Sequence, residues 1–199
     1  MLGTEEGRAM LSNRHKKGGF SLIELMIGIA LIGILTVLAI PAFQTWMRNT
    51  EIRNTAESIT NGMQIARVEA IGRNVAVQML IGPGTGWTIS VPSTGTQIQQ
   101  RSALEGSGGA AIIINDVNGD GVSDDPTAHL VTFNGMGWRV ANGDATPLIS
   151  RMDIRNPIGG TCKHVNGGPM RCMRVVIAAG GGSRMCDPAV AAGDPRACL

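Results

Sequence analysis

The chain has 199 residues, with 17 Lys and Arg against 15 Asp and Glu, a formal net charge of +2. So balanced a charge argues against a general nucleic-acid coat protein, and the length suits one domain, or one domain with an appendage. With 28 Gly, no Tyr and only 3% aromatics, the chain should be rich in turns, with a core of Val, Ile, Leu, Ala and Met.

The net charge sits at the start. Residues 1–19 carry Arg8, Arg14, Lys16 and Lys17 against Glu5 and Glu6, so the remaining 180 residues balance to zero. A short basic segment ahead of an apolar run is the pattern of a targeting leader. From Leu25 to Met47 there follow 23 residues without a charge. Because about 20 helical residues cross a hydrocarbon core, this run is expected to span a bilayer over about residues 20–46. The basic flank keeps the leader cytoplasmic and sends everything after Met47 to the far side. A cleaved secretory signal, cut near Ala39 and Ala42, is the competing reading, but its apolar region would be shorter.

Glu24 lies at the edge of this run. A carboxylate near the middle of a bilayer helix costs about 2.5–3.5 kcal/mol on insertion scales and calls for a partner. Cleavage between Gly19 and Phe20 would create an α-amino group one helical turn away, within or between chains. The sequence Lys16-Lys17-Gly18-Gly19-Phe20-Ser21-Leu22-Ile23-Glu24-Leu25-Met26 resembles the leader and mature N-terminus of type IV pilins and type II secretion pseudopilins. Pro41 falls where that family usually places a helix-kinking proline. The resemblance implies that a prepilin peptidase cuts after Gly19 and methylates the amine of Phe20. Both residues would then be a processing site in a substrate.

Beyond the membrane, Ile52, Ala56, Ile59, Met63, Ala66 and Ala70 recur at steps of four and three, which lays them on one helical stripe. The helix is expected over residues 20–72, with the stripe packed on the protein's own sheet. Short β-like runs separated by Gly and Pro follow over residues 73–199. Strands are expected at Val75–Ile81 and Trp87–Val91 as a hairpin, then at Ala111–Ile114, Leu130–Phe133, Trp138–Ala141, Leu148–Ile154 and Arg174–Ala179. One long helix followed by many strands predicts an α+β fold: a pilin-like lollipop with an antiparallel β-sheet head. The order of elements, an Asp-Asn-Gly loop and the late cysteines resemble the GspH/FimT, FimU-like branch of minor pilins and minor pseudopilins.

Asp116-Val117-Asn118-Gly119-Asp120-Gly121-Val122 follows the first half of a calcium loop. Side-chain oxygens are available at Asp116, Asn118 and Asp120, and a carbonyl at Val122. The twelfth position is Thr127 rather than Glu, which leaves Asp124 or Asp125 to compensate. An Asx-rich turn is the competing reading. Apart from this calcium candidate, no cofactor is expected.

Cys162, Cys172, Cys186 and Cys198 all lie in the last 38 residues, on the side expected to be oxidising. An even count favours disulfides, with three connectivities open. The pairs 162–172 and 186–198 close short local loops and are favoured. The absence of a Cys-x-x-Cys unit argues against zinc.

Residues 151–199 carry seven basic groups against three Asp, a local +4, and Arg171, Arg174 and Arg184 are candidate DNA contacts. Some relatives in the resembled branch are DNA-binding competence pilins with a Gly-Arg-x-Arg motif. The corresponding stretch here, Gly181-Gly182-Ser183-Arg184, matches it only at the first and last positions. No aromatic side chain lies in the segment to stack on bases.

No nucleophile–base constellation appears, because His15 lies in the leader and His129 and His164 are isolated, so the chain is not expected to be an enzyme. Three readings follow: a structural or priming minor pilin, a DNA-binding minor pilin for uptake in transformation, and a minor pseudopilin of type II secretion. The expected partners are the prepilin peptidase, other major and minor pilins in a helical filament, and the bacterial inner membrane before assembly, with the head in the periplasm and later on an extracellular pilus. DNA is a further candidate partner.

Overall fold

The computed structural model describes residues 19–105, 107–115 and 129–198. The acidic loop with Asp116, Asn118, Asp120 and Val122 lies outside them. The chain divides after Ile40 into two compact units. A single α-helix, α1 (Leu22–Arg73), runs through 52 residues and passes Pro41 without a break. Among the described residues nine strands follow: β1 (Val77–Ile81), β2 (Trp87–Val91), β3 (Thr96–Arg101), β4 (Ala111–Asn115), β5 (Leu130–Phe133), β6 (Arg139–Val140), β7 (Arg151–Arg155), β8 (Met173–Ile177) and β9 (Ser183–Cys186). The fold is therefore α+β.

Ser21 starts the helix. Its carbonyl accepts the first intrahelical bond from Leu25 N, and its hydroxyl accepts the Glu24 amide at 3.2 Å. This satisfies one of the donors that every helix leaves orphaned at its N-terminus. In the first unit the apolar side chains from Leu22 to Ile40 are all exposed.

In the second unit, Ile52, Ala56, Ile59, Met63, Ala66 and Ala70 are fully buried, so the stripe read from the sequence is the helix's core face. It packs with alternate residues of β1 and β2, Val77, Met79, Trp87 and Ile89. Gly62 permits the close approach: a Cβ there would lie 2.8 Å from Met79 Cε and 3.2 Å from the Trp87 ring. The Trp87 indole donates to Ser58 Oγ at 2.9 Å, so the polar end of this large side chain is also satisfied.

The strands form two antiparallel sheets rather than one. The first has the order β3-β2-β1-β5-β6 and the second β4-β7-β8-β9. Met152 and Ile154 of β7, with Val175 and Ile177 of β8, are the buried face of the second sheet and complete the same core. The sheets meet where Arg139 N, on β6, donates to Ala179 O just after β8. There Gly181, at φ +80°, turns the chain so close to the β5–β6 turn that a Cβ would stand 1.9 Å from Gly137 O. No other residue fits that position without moving backbone.

β3 and β9 go beyond the strands expected from the sequence, and β6, β7 and β8 are shorter than expected. β3, with the sequence Thr-Gln-Ile-Gln-Gln-Arg, is an edge strand with no fully buried residue, so it carries no hydrophobic alternation to reveal it. Ser183–Cys186 follows three glycines, and its pairing with β8 gives it strand geometry that composition does not.

Candidate functional site

The processing segment is open. Gly19 precedes the helix, Phe20 is 84% exposed, and Glu24 is likewise at the surface one turn into α1. Gly19 and Phe20 lie outside the helix, immediately before its N-cap. Ser21 and Glu24 also show the Ser-x-x-Glu spacing of a capping box. The bond observed runs from the Glu24 amide to the Ser21 hydroxyl, and the exposed Glu24 carboxylate is accessible to a second group.

The four cysteines pair as Cys162–Cys172 and Cys186–Cys198, with Cα atoms 5.4 and 5.1 Å apart. Cys172 and Cys186 are buried. The second bond, with a bridge between Asp187 and Ala197, folds the end of the chain back beside β9.

The three candidate DNA-contact arginines occupy different settings. Arg174, on β8, faces Asp153 across the β7–β8 ladder and makes a two-pronged contact, Nε–Oδ1 at 2.5 Å and Nη2–Oδ2 at 3.2 Å. Arg184 donates to Ala197 O at 3.5 Å. Arg171 reaches Asp187 at 3.4 Å, while its backbone amide donates to Asn49 Oδ1 of α1 at 2.8 Å.

Arg171 also lines a cavity of about 440 Å³, together with Trp46, Asn49 and Arg53 of α1, and Asp187 and Arg196. Arg196 holds Asp194 in a double hydrogen bond, and this bond, with the nearby charge of Arg171, holds the Asp194 carboxyl down at about 2. The Asp194 carboxylate in turn raises the Arg196 guanidinium, with a further contribution from Asp187. Arg171, Asp187, Asp194 and Arg196 therefore act electrostatically as one cluster.

A second tie joins α1 to the second sheet. Asn156, buried just after β7, donates Nδ2 to Glu51 Oε2 at 2.9 Å. Its Oδ1 accepts the amides of Ile158 and Gly159, capping a short 3₁₀ turn. Residues 105 apart in sequence make this contact, and no local pattern announces it.

His129 lies 3.9 Å from Asp144, both half-exposed, and Asp144 accepts a hydrogen bond from the Thr146 hydroxyl at 2.6 Å. Asp144 is lowered chiefly by the hydroxyl and amide of Thr146. Among the described residues no group of three or more His, Cys, Asp or Glu is placed to hold a metal ion.

Two family models match the chain: a prokaryotic N-terminal methylation motif over residues 14–40, and the type II transport protein GspH over residues 55–181. A fimbrial protein of Pseudomonas aeruginosa is 33% identical over 133 residues, covering 67% of this chain and 78% of its own length. The type IV major fimbrial protein FimA of Dichelobacter nodosus is 45% identical over 47 residues, 24% of this chain and 29% of its own. Among solved structures, the type IV minor pilin FimU of P. aeruginosa aligns over 72% of this chain and 93% of its own, at 16% identity and a TM-score of 0.48.

Proposed function

The chain belongs to the GspH family of type IV pilin-like proteins, and we propose that it is a minor pilin: a structural and priming subunit that enters a helical filament once prepilin peptidase has cut Gly19–Phe20 and methylated Phe20. One observation carries this reading. Sixteen large apolar side chains from Leu22 to Met47 are exposed on a helix whose next turns bury one apolar stripe in the head. Such a surface is stable only in lipid or against other apolar helices. The bilayer stores the subunit, and packing beside equivalent helices of neighbouring subunits replaces the lipid during extraction. A contact repeated head to tail without closing produces a helical filament.

In this mechanism the Phe20 amine of one subunit meets the Glu24 carboxylate of its neighbour and sets the axial register. The membrane is the bacterial inner membrane, the head faces the periplasm and then the pilus exterior, and the partners are other pilins. Calcium at Asp116, Asn118, Asp120 and Val122 stays a proposal for titration.

Mass spectrometry of filaments from the native host is the direct test. The expected peptide begins at N-methylated Phe20, and Glu24→Ala should still insert but be depleted from filaments. A chain retaining Met1 in assembled fibres, or normal incorporation of the Glu24 variant, would contradict the mechanism. Recovery of the processed chain from a secretion system rather than a pilus would move it to the minor pseudopilins. A salt-sensitive gel shift lost on replacing Arg171, Arg174 and Arg184 would move it to the DNA-binding minor pilins.

A further inference from the structure

The cavity beside α1 is built from two remote pieces of the chain. Trp46, Asn49 and Arg53 stand at i, i+3 and i+7, so one face of the helix looks into it. The other wall comes from the C-terminal segment, with Arg171 and Arg196 held in place by Asn49, Asp187 and Asp194. The lining carries three arginines and the carboxylate of Asp187, while Asp194 and Glu57, beside it, pair with Arg196 and Arg53. Asp187 is nearly buried, and Arg53 is tied only to Glu57 in an exposed pair on its own helix. Such a pair contributes little and yields readily to a better anion.

The position of this lining along the helix indicates the occupant. The uncharged run ends at Met47, so Trp46 belongs to its last turn. Its ring lies 5.7 Å from that of Phe43, and both are exposed. Paired aromatics at the end of an apolar run are typical of the membrane interface, where the ring spans the boundary between acyl chain and headgroup. Arg53 follows Met47 by six residues, or about 9 Å of helix, which matches the depth of a headgroup layer.

We propose that this cavity holds the phosphodiester of an anionic phospholipid from the leaflet at which the uncharged run ends. Trp46 rests at the level of the glycerol, and Arg53, Arg171 and Arg196 donate to the phosphate oxygens as planar, multi-donor groups suited to it. The lipid seats the head on the membrane before extraction, and leaving the bilayer empties the cavity. The inference rests on the run being membrane-spanning.

The test uses the full chain in lipid nanodiscs of phosphatidylcholine alone or mixed with phosphatidylglycerol, followed by hydrogen exchange. With phosphatidylglycerol, exchange at the Arg171 amide and across residues 187–197 should slow, by about fivefold for each arginine engaged. Arg53→Gln, on an exposed helical surface where folding is not at stake, should remove its share, and Trp46→Leu should weaken the effect. Arg155→Gln, which deletes a charge on an exposed residue that does not line the cavity, should leave it intact.

Equal exchange in the two lipids would overturn the proposal, as would an equal loss in Arg155→Gln, which would mean diffuse attraction. Soluble glycerol phosphate reproducing the protection in phosphatidylcholine discs would mean a free-phosphate site. Slowing that needs a second pilin subunit and no anionic lipid would mean a subunit interface. Failure of the chain to enter any disc would remove the membrane-spanning premise, whereas entry without lipid discrimination removes this inference alone.

Discussion

The two halves of α1 are equally helical, yet they are stabilised in opposite ways. Between Leu22 and Met47 apolar side chains point in every direction and none is buried. Between Ile52 and Ala70 most keep to one stripe that is sealed against the sheets, with Val68 left exposed. Period decides the outcome, because a helix apolar all round cannot be satisfied by one face of a small head and needs surroundings on all sides. The lower stripe needs only one sheet face, and β1 and β2 provide it.

The largest expected effect tests that division directly. Ile59→Ala should cost the head about 2–5 kcal/mol, the range for truncating a large aliphatic side chain in a closed core. Ile32→Ala, on the exposed half, should change head stability by no more than about 0.5 kcal/mol. Chemical unfolding of the full chain in micelles, followed by the fluorescence of Trp87, reads both. Equal losses would mean that the halves are not energetically separate.

The disulfides come next. Removing Cys186–Cys198 by a double change to Ser frees a loop with a sequence separation of 12, and chain-entropy reasoning gives a loss of about 3 kcal/mol. The loss should appear in the same unfolding curve, together with faster hydrogen exchange over residues 187–197. If exchange speeds up there while global stability holds, the bond fastens only the tail and is not part of the head's cooperative unit.

The stripe, the helix and the β1–β2 hairpin were legible in the sequence because each has a local period or turn to read. Burial of Met63 or Ile89 follows from spacing alone. The division into two sheets was not legible: β4 pairs with β7, joining Ala111 to Arg155, and β5 inserts beside β1, joining Phe133 to Val77. Such pairings are fixed by the whole core and leave no short-range trace. At the candidate site, Trp46, Asn49 and Arg53 could have been read as one helical face. Nothing near them in sequence points to Arg171 or Arg196, which arrive only once the C-terminal segment is stapled back.

Asn156 sharpens the comparison at smaller scale, because it fastens the buried half of the helix to the second sheet through Glu51. Asn156→Ala deletes a cap and leaves Glu51 and the amides of Ile158 and Gly159 without its bonds, a loss of about 1–2 kcal/mol by thermal or chemical unfolding. Exchange should quicken at Ile158 and Gly159, whose amides lose their acceptor, and stay unchanged along residues 22–40. A change reaching that exposed segment would show the two halves to be coupled.

The smallest effect concerns acid. No residue from Leu25 to Met47 titrates, so the pH dependence of stability must arise elsewhere, and Asp194 is one defined source. Its folded value of about 2, set first by the Arg196 hydrogen bonds, lies below the roughly 3.9 of an unfolded Asp. The folded state therefore binds the proton less readily than the unfolded one. The stabilisation is complete above the unfolded value and disappears as pH falls through the folded one. Because the pair lies at the surface, with Arg196 exposed and Asp194 partly covered, the contribution is small and should shrink further in salt. Melting wild type and Asp194→Asn at pH 5 and at pH 2 should show a gap in Tm at pH 5 that closes by pH 2. A gap of equal size at both pH values would assign the role of the Asp194 side chain to its hydrogen bonds with Arg196 rather than to its charge, and would leave the cluster around the cavity without electrostatic coupling.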